Sequence, residues 1–534
     1  MNSEQSMSTT SGRRQINYKG CPKVTVASGW WREIGLVWLV LAAAIVLPAQ
    51  DEQPSPDTVT FKTLVKFNGT NGGNPIASLV QGTDGNLYGT TALGNGNLAN
   101  GGNVFRMTPG GSISVLYSFC AKPNCADGSI PTGLTLGTDG NLYGTTLLGG
   151  TNAGGSGTFF KITPAGTLTT LYNFCALTNC TDGSNPENFG AALVIGADGD
   201  FYGTTLNGGL GSGTVFKITP KGTLATLYKF CSLANCADGG FPNSSLIQAT
   251  DGDFYGTTNN GGASGFGTVF KITPKGSLTT VHSACSQPNC VDGDLIDVGN
   301  QALVQAANGH LYGVMEACGA NAAYGGTIFE ITPTVPFTTL YSFCAQPNCA
   351  DGVAPTGSLV QAADGNFYGA TYNGALNTCG YFGGCGTLFK ITPGGTLTSL
   401  HQFYGTDGEQ PYAALVQATN GTFYGTTSEG GISNPACAGQ TVAPGCGTVF
   451  SLSVGLGPFV ELLPTSGKVG ALVKILGNNL TSTTSVSFNG TAAAFKVVSA
   501  TEIETKVPTG ATTGFVTVTT STRTLKSNVK FRVR

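Results

Sequence analysis

Short β-prone runs separated by Gly-rich turns fill most of this chain. Between residues 242 and 284, four such runs follow one another, with Asp251-Gly252 in the first tight turn and Pro274-Lys275-Gly276 in the last. Asp-Gly and Pro-x-Gly turns between apolar, β-branched runs are hairpin signatures. The segment therefore predicts a four-stranded antiparallel meander, and no run from 58 to 455 has a helical period long enough to predict a helix. The predicted strands are Ser245–Gln248, Phe254–Thr258, Thr268–Thr273 and Ser277–Val281.

The meander repeats along the chain. A Tyr-Gly dipeptide marks its second strand and returns seven times at intervals of 53 to 59 residues. A period of that length indicates an array of supersecondary units. Asp-Gly or Asn-Gly precedes each Tyr-Gly strand. We interpret the Asp and Asn side chains as turn residues that bond their own backbone. The repeated tyrosines are Tyr88, Tyr143, Tyr202, Tyr255, Tyr312, Tyr368 and Tyr424.

The strand count predicts how the array ends. The seventh unit, residues 411–454, has three predicted strands, and the run Val59–Phe67 supplies a fourth from the other end of the array. An N-terminal strand that completes the last blade is how a β-propeller closes, and closure leaves only short, protected edges. We predict an all-β fold in which residues 58–455 form a seven-bladed β-propeller. An open solenoid with capping units is the alternative.

Cysteine spacing predicts the redox state of the chain. Fourteen of the 16 cysteines fall into pairs within single loops, and no His accompanies these pairs as a zinc site would favour. We expect one local disulfide per loop, stiffening connections with little apolar content, and an oxidising compartment. Cys318 lacks a partner in its own loop and is predicted to be a free thiol or buried, while Cys21 precedes an apolar run. The predicted pairs are Cys120/Cys125, Cys175/Cys180, Cys231/Cys236, Cys285/Cys290 and Cys344/Cys349 between repeats, and Cys379/Cys385 and Cys437/Cys446 in the Gly-rich loops of the sixth and seventh repeats.

The N-terminus has the pattern of a targeting segment. Basic residues precede the apolar run 34–47, which is short for a membrane-spanning helix. We predict a signal over residues 1–49 and a linker over 50–57, with an uncleaved anchor as the alternative. The protein is then extracytoplasmic, secreted or attached to the cell envelope, and touches a membrane only through an uncleaved segment.

Residues 458–534 break the period and contain no cysteine. Short alternating strands in fewer than 80 residues predict a small β-sandwich of immunoglobulin-like type. Its predicted strands are Leu472–Leu476, Ser485–Phe488, Ala494–Val498, Glu502–Val507, Gly514–Thr519 and Val529–Val533.

The fifth repeat departs from its siblings and holds the candidate site. It gathers Asp292, Asp294 and Asp297 in one loop, and it adds His310 and Glu316 beside its Tyr-Gly strand. Three clustered carboxylates could hold Ca²⁺, or carboxylates with raised pKa could act as acid and base. The competing interpretation is a diverged repeat with a solvated loop. No catalytic motif is present, so we predict no catalytic residue and no cofactor other than Ca²⁺.

Two resemblances rest on these motifs. The pattern Asp364–Gly369, continued as in Gly267–Pro274, resembles the GloVer tandem repeat of choice-of-anchor proteins in bacterial envelopes. The tail resembles an IPT/TIG immunoglobulin-like domain through Pro464–Gly467, Val486–Gly490 and Gly514–Val518. The resemblances imply a secreted or surface-attached protein without an established activity.

The low content of charged residues limits the classes of partner that the protein can bind. Charged residues make up 10% of the chain, the net charge is −3, and the array holds no basic stripe, so we predict no nucleic-acid partner. Three functions remain. The first is a non-enzymatic scaffold that binds extracellular polysaccharide or protein, the second a polysaccharide lyase or glycosidase, and the third a structural envelope component.

Overall fold

The computed structural model describes residues 59–534 with internal gaps. The predicted signal, the linker, Cys21 and Asp297 all lie outside the described residues. The gaps are 95–100, 153, 187–191, 243, 296–301, 322–323, 333–336, 375–378, 380–383, 434–436 and 438–444.

The described part of the repeat region consists of seven antiparallel sheets, which confirms the all-β prediction. Each sheet follows the chain as a meander of four positions, and in two sheets the first position is split into two short strands. The first three sheets contain β2 (Val80–Gln81), β3 (Leu87–Thr91), β4 (Asn103–Met107) and β5 (Ile113–Ser118); β6 (Ser129–Leu136), β7 (Leu142–Leu148), β8 (Thr158–Ile162) and β9 (Leu168–Asn173); and β10 (Ser184–Pro186), β11 (Val194–Ile195), β12 (Phe201–Asn207), β13 (Thr214–Ile218) and β14 (Leu224–Lys229). The next two contain β15 (Gly240–Pro242), β16 (Ile247–Gln248), β17 (Phe254–Asn260), β18 (Thr268–Ile272) and β19 (Leu278–Ser283); and β20 (Val304–Gln305), β21 (Leu311–Met315), β22 (Thr327–Ile331) and β23 (Thr338–Ser342). The last two contain β24 (Val353–Gln361), β25 (Phe367–Asn373), β26 (Thr387–Ile391) and β27 (Leu397–Gln402); and β28 (Val416–Gln417), β29 (Phe423–Thr427), β30 (Thr448–Ser453) and the N-terminal strand β1 (Thr60–Lys66).

The two ends of the array meet. Strand β1 pairs antiparallel with β30, with Thr60 opposite Ser453, as the sequence predicts. Phe67 and Phe105 from the first part of the array share a core cluster with Tyr424 and Val449 from the last sheet. The first and seventh sheets therefore pack together, and we call the seven sheets the ring.

The Tyr-Gly motif follows from packing between paired strands. Gly89 lies opposite Phe105 in the register of β3 and β4. A Cβ at Gly89 would stand 2.5 Å from the Phe105 ring, and a Cβ at Gly425 would stand 2.4 Å from the ring of Phe450. Because real Cβ atoms do not approach other atoms so closely, the phenylalanine on the third strand requires glycine on the second.

The preceding tyrosine is fixed to the turn. The hydroxyl of Tyr143 donates to Asp139 Oδ2 at 2.9 Å, while Asp139 Oδ1 accepts from the backbone N–H of Asn141 at 3.1 Å. Tyr88, Tyr202, Tyr255 and Tyr368 donate to the turn aspartate in the same way. These bonds confirm that the aspartates are turn residues.

Glutamine side chains join neighbouring sheets at the same end of the ring. Gln305 Oε1 accepts from the backbone N–H of Thr250 in the preceding sheet at 2.8 Å, and its amide nitrogen donates to the Gly309 carbonyl of its own turn. Gln81 makes the corresponding bond to Thr419 across the junction between the first and last sheets. The junction is therefore bonded like the internal boundaries between sheets.

The tail forms two sheets around one apolar core, as a β-sandwich requires. Side chains alternate between the core and the surface along its strands. One sheet contains β31 (Glu461–Leu463), β33 (Leu472–Leu476), β36 (Phe495–Val497) and β37 (Glu502–Lys506), and the other contains β32 (Ser466–Gly467), β34 (Thr483–Phe488), β35 (Thr491–Ala493), β38 (Gly514–Thr520) and β39 (Thr524–Val533). The sequence did not predict the short strands β31, β32 and β35.

The tail packs on one face of the ring. We call the side that carries the Asp-Gly turns the turn face, and the side that carries the disulfide connections the loop face. Thr501 Oγ1 donates to the Thr83 carbonyl at 2.7 Å, and Asn478 Nδ2 donates to Thr419 Oγ1 at 2.6 Å. Leu463 packs against a ring cluster that also contains Leu134. The tail therefore covers part of the turn face and leaves the loop face open.

The helical segments of the described residues are short 3₁₀ turns, and none is both long and apolar enough to cross a membrane. Five of these turns lie in the disulfide connections and one in the tail: Pro123–Cys125, Thr178–Cys180, Ala234–Cys236, Pro288–Cys290, Pro347–Cys349 and Leu480–Ser482.

Candidate functional site

Disulfides close loops throughout the loop face. All seven predicted pairs form, and five of them span a separation of five residues in the connections between sheets. Within each of these five short loops a 3₁₀ turn places an asparagine in the left-handed region, as at Asn124 with φ 57°. Asparagine tolerates this conformation better than most residues, which explains the Asn before the second cysteine.

The other two disulfides require a correction to the sequence-based expectation. The bonds Cys379–Cys385 and Cys437–Cys446 form as predicted, but these pairs do not simply stiffen loops of little apolar content. Cys385 and Cys446 are both fully buried. Each of them is the last residue before the Gly-Thr that leads into a third strand. Burial there could not be predicted, because Gly-rich segments surround both cysteines.

The burial of Cys385 and Cys446 has a packing cause. Cys385 belongs to the apolar cluster that contains Phe403, and Cys446 belongs to the cluster that contains Val449 at the junction of the ring. A half-cystine sulfur is apolar, so it fills such a core as a small hydrophobic group would. These two disulfides therefore tie a loop to the core, and neither Cys385 nor Cys446 can contact a ligand on the loop face.

A buried aspartate organises each of the five short loops from inside. Asp182 is fully buried, and its Oδ2 accepts from the Tyr172 hydroxyl at 2.7 Å and from the backbone N–H of Ala176 at 2.9 Å. Its Oδ1 accepts from the N–H of Leu177. The Asp of the Cys-x4-Cys-x-Asp-Gly motif is therefore a structural acceptor for backbone groups that the loop leaves unpaired. Asp127, Asp238 and Asp351 make the same set of bonds.

Asp292, the first candidate ligand of the fifth repeat, is the same structural residue. Its carboxylate accepts from the backbone N–H groups of Ser286 and Gln287, and His282 Nε2 lies 3.3 Å away in the place of the usual tyrosine. Burial would raise the pKa of Asp292, but the hydrogen bonds from His282, Ser286 and Gln287 outweigh it and lower the pKa. His401 replaces tyrosine in the same way, with Nε2 3.0 Å from Asp407.

Asp294 and Glu316 lie close together at the loop-face end of β21. The backbone N–H of Glu316 donates to the Asp294 carbonyl at 3.1 Å, and both side chains are buried. Cys318 Sγ lies 3.4 Å from Asp294 Oδ2. Cys318 is fully buried, and no cysteine in the described part of the chain is a free thiol. Of the two predictions for Cys318, the buried one is confirmed.

His310 lies at the opposite end of the same strand. It precedes β21 on the turn face, where its Nδ1 stands 2.7 Å from Glu330 Oε1 and the Tyr312 hydroxyl donates to the same oxygen at 2.6 Å. Burial and the bond to Glu330 raise the pKa of Tyr312 to about 12. The structure thus divides the four described residues of the predicted group between two faces of the ring, with Asp292, Asp294 and Glu316 at one and His310 at the other.

A calcium site in the loop of the fifth repeat stays a prediction. Among the described residues, no three His, Cys, Asp or Glu side chains are placed to share a metal ion. Asp297, the third predicted ligand, lies outside them. Asp292 uses its oxygens on backbone groups, so a calcium site in this loop would have to depend on Asp294 and Asp297.

Sequence reasoning missed an apolar patch on the loop face. Leu177, Leu210 and Leu233 are 58%, 60% and 57% exposed, and Tyr404 is 60% exposed in the last connection. The Gly209 N–H bonds the Cys180 carbonyl, so the loop with Leu210 lies against the loop with Leu177. Leu233 holds the position of Leu177 in the next connection of the same face. We call these three leucines, which lie on three loops of the loop face, the leucine patch. Comparison among the repeats would have found this signal, because polar residues hold the place of Leu177 and Leu233 in the other short loops: Lys122, Gln287 and Gln346.

These features define the class of protein to which the chain belongs, an all-β repeat protein whose connecting loops are closed by disulfides. The model of the family described as "Gloeobacter/Verrucomicrobia repeat" matches residues 53–190, 100–300 and 297–495, and the chain belongs to that family. The IPT/TIG domain model matches residues 459–533. Both resemblances predicted from the sequence are thereby confirmed.

Solved structures show a more distant likeness. A fungal alcohol oxidase of the AA5 family, in complex with copper, matches with a TM-score of 0.49 and 13% identity over 89% of this chain and 100% of that one. The extracellular domain of a putative one-component system from B. thetaiotaomicron matches with a TM-score of 0.45 and 14% identity over 89% and 58% of the two chains. None of the curated proteins matches this sequence. The likenesses carry no information on what this chain binds.

Proposed function

We propose that the protein is a secreted or envelope-attached binding scaffold in which the ring is a seven-bladed β-propeller that presents its loop face to extracellular polysaccharide or protein. Pairing of β1 with β30 and the shared cluster of Phe67 and Val449 support the closed ring. Seven disulfides in the described loops favour an oxidising compartment.

One observation carries the proposal: the loops of a single face are rigidified, and that face is the one the tail leaves open. Binding residues are often placed on loops held by a rigid scaffold. Each short disulfide removes about 2 kcal/mol of chain entropy from the unfolded state in the loop-closure account. Loops fixed in this way lose less entropy when they bind.

The exposed side chains of the loop face supply the contact chemistry. Contiguous exposed apolar groups rimmed by polar residues mark interaction sites. Leu177 and Leu233 of the leucine patch occupy the place of polar residues in other repeats. Tyr404 offers an exposed aromatic ring of the kind enriched in binding sites. The patch favours a protein or polysaccharide surface over a small charged ligand.

Binding assays on residues 50–534 made in an oxidising compartment test the proposal. The protein is incubated with soluble and insoluble polysaccharides, and retention and new reducing ends are read from the same tubes. We expect retention without cleavage, and weaker retention for Tyr404→Ala and for Leu177→Ser with Leu233→Ser. Val115→Ser is the matched control, because Val115 is 40% exposed on the outer strand β5.

Three outcomes decide the matter. New reducing ends would replace the proposal with the polysaccharide-cleaving function. Retention that none of the loop-face variants changes would move the binding surface elsewhere. Absence of retention on every polysaccharide, together with no binding in extracellular protein fractions, would favour a structural envelope component.

A further inference from the structure

The tail and the rest of the chain carry opposite charge. Residues 458–534 contain nine Lys and Arg and three Glu, a net charge of +6, whereas residues 1–457 contain 16 basic and 25 acidic residues, a net charge of −9. The overall charge of −3 therefore conceals a basic domain attached to an acidic one. A concentrated positive charge attracts anionic ligands over several ångströms.

The acids of the tail leave most of this charge uncompensated. Glu502 and Glu504 both pair with Lys474. Their side chains are therefore committed within their own sheet. Within the described residues, four basic side chains of β39 and the residue after it have no acidic oxygen within 4.0 Å and form no salt bridge: Lys526, Lys530, Arg532 and Arg534. Their even spacing places them on one face of the strand, because side chains alternate with a period of two.

This cationic face borders a cleft between tail and ring. The cleft has a volume of about 1280 Å³, and Lys526, Lys530 and Phe515 line its tail side. Lys526 Nζ lies 3.7 Å from the centre of the Phe515 ring, which holds the ammonium group in place. The ring side of the cleft contributes side-chain amides and hydroxyls, such as those of Gln361 and Thr250.

The other charged groups of the tail beside the cleft leave the positive charge of Lys526 and Lys530 available to a ligand. Arg532 and Arg534 donate to the backbone carbonyls of Thr250 and Ala197 and so anchor the tail to the ring. Among the described residues that line the cleft, Glu461 is the one acid, and burial raises its pKa to about 7. The raised pKa lowers the ionised fraction of Glu461 at neutral pH and so weakens its offset of the positive charge in the cleft.

We propose that the cleft between tail and ring is a binding site for an acidic polysaccharide, whose carboxylate or sulfate groups pair with Lys526 and Lys530. Both ammonium groups lie over the same ring, 3.7 and 5.8 Å from the centre of Phe515. Two cations held side by side along an extended cleft suit a chain with repeated charges better than a single carboxylate. Opposite them, the Thr250 hydroxyl accepts from Gln305 and keeps its own O–H for a sugar hydroxyl.

The position of the two lysines in the cleft favours an acidic polysaccharide over other polyanions, such as a membrane surface or a nucleic acid. Lys526 and Lys530 line a recess between tail and ring, whereas a bilayer presents its phosphates on a flat surface. A duplex of nucleic acid is wide and rigid, whereas a single polysaccharide chain can lie between tail and ring. The inference rests on the proposed function in one respect, namely that the partner class includes polysaccharide.

Matched variants test the site in the full exported chain. Polygalacturonate and its fully methyl-esterified form share a backbone and differ in charge, and dissociation constants are measured at low and moderate salt. We expect Lys526→Gln with Lys530→Gln to weaken polygalacturonate binding about tenfold, as loss of two ion pairs of up to about 1 kcal/mol each implies. Lys496→Gln with Lys506→Gln removes the same charge from two exposed positions outside the cleft and should change binding less than about threefold.

Four results of these binding measurements would contradict the inference. Equal weakening by both double variants would reduce the site to general charge attraction and overturn the inference. Duplex DNA or phosphatidylglycerol vesicles bound as tightly as polygalacturonate, with the same dependence on Lys526 and Lys530, would also overturn it. Binding of the esterified polymer alone, sensitive to Tyr404→Ala, would end this inference while the proposed function stood, and no binding to any polysaccharide would count against both.

Discussion

The ring and the tail are both β-structures, but different forces hold their shapes. The ring repeats one set of side-chain contacts, in which a tyrosine bonds its turn, a phenylalanine covers a glycine, and a buried aspartate and a disulfide fix each of five connections. The tail contains no cysteine and relies on one apolar core. The comparison teaches that long connections with few apolar residues require covalent and polar fixation, whereas a compact sandwich does not.

Reduction of the disulfides should produce the largest difference in stability between the ring and the tail. Each short disulfide loop contributes about 2 kcal/mol, so reducing all seven should lower the melting temperature of the ring by on the order of 10 °C or more. The melting transition of the tail should stay where it is. Because Cys385 and Cys446 are buried, the protein is reduced in denaturant and refolded with reductant before calorimetry. A common shift of both transitions would show that the tail does not melt independently.

The contact between the regions should depend on pH. Burial raises the pKa of Glu461 from 4.5 to about 7, so the docked tail keeps a proton that an undocked tail releases. Docking is therefore strongest below about pH 4.5, weakens as the pH rises to about 7, and is constant above it, with a total loss of up to roughly 3 kcal/mol. Lys526, Lys530 and Arg532 line the same cleft.

The tail transition measured by calorimetry at about pH 5 and about pH 8 tests this dependence. Glu461→Gln should remove it and should stabilise docking at the higher pH. A wild-type transition that does not move between the two pH values would show that Glu461 meets water when docked.

A methyl group at a Tyr-Gly position should damage the ring and spare the tail. Gly425→Ala places a Cβ 2.4 Å from the Phe450 ring and should cost about 1–3 kcal/mol in the free energy of unfolding, as overpacking does. At Gly394 the nearest atom to a new Cβ is 3.8 Å away, so Gly394→Ala should be neutral or slightly stabilising. Denaturant unfolding compares the two, and equal costs would refute the packing account of the motif.

The smallest expected effect is at the buried aspartates. Tyr172→Phe removes one of three donors to Asp182 and should cost about 1 kcal/mol in the free energy of unfolding. Tyr404→Phe is the control, since its exposed hydroxyl should be worth less than about 0.5 kcal/mol. A Tyr172→Phe protein as stable as the wild type in denaturant would show that water replaces the hydroxyl at Asp182.

Much of the ring could be predicted from the sequence because its contacts repeat. Tyr-Gly, Asp-Gly and Cys-x4-Cys recur in nearly fixed order, so each copy supports the interpretation of the others. The short strands β10 and β15 were missed since Ser184–Pro186 and Gly240–Pro242 contain residues with weak strand preference, and their pairing with the second strand fixes them instead. The burial of Cys385 and Cys446 was missed because the equivalent positions of other repeats hold residues such as Ser156 and Ser212, which do not predict an apolar core.

The candidate site was harder to predict because it depends on which residues come together in space. Asp292 and His310 are close in the sequence of the fifth repeat, yet a strand carries them to opposite faces of the ring. The cationic cleft combines β39 with turns from several repeats, which no local pattern reveals. Its signals in the sequence are the net positive charge of residues 458–534 and the alternation of basic residues from Lys526 to Arg534.

The pairing of β1 with β30 has a consequence for the timing of assembly. The strand made first must wait until nearly all of the ring has been synthesised before its partner exists. Until then, the first strand presents unpaired backbone groups to other chains. Closure of the ring therefore has to follow the synthesis of β30, whereas the strands of each earlier sheet are complete before that point.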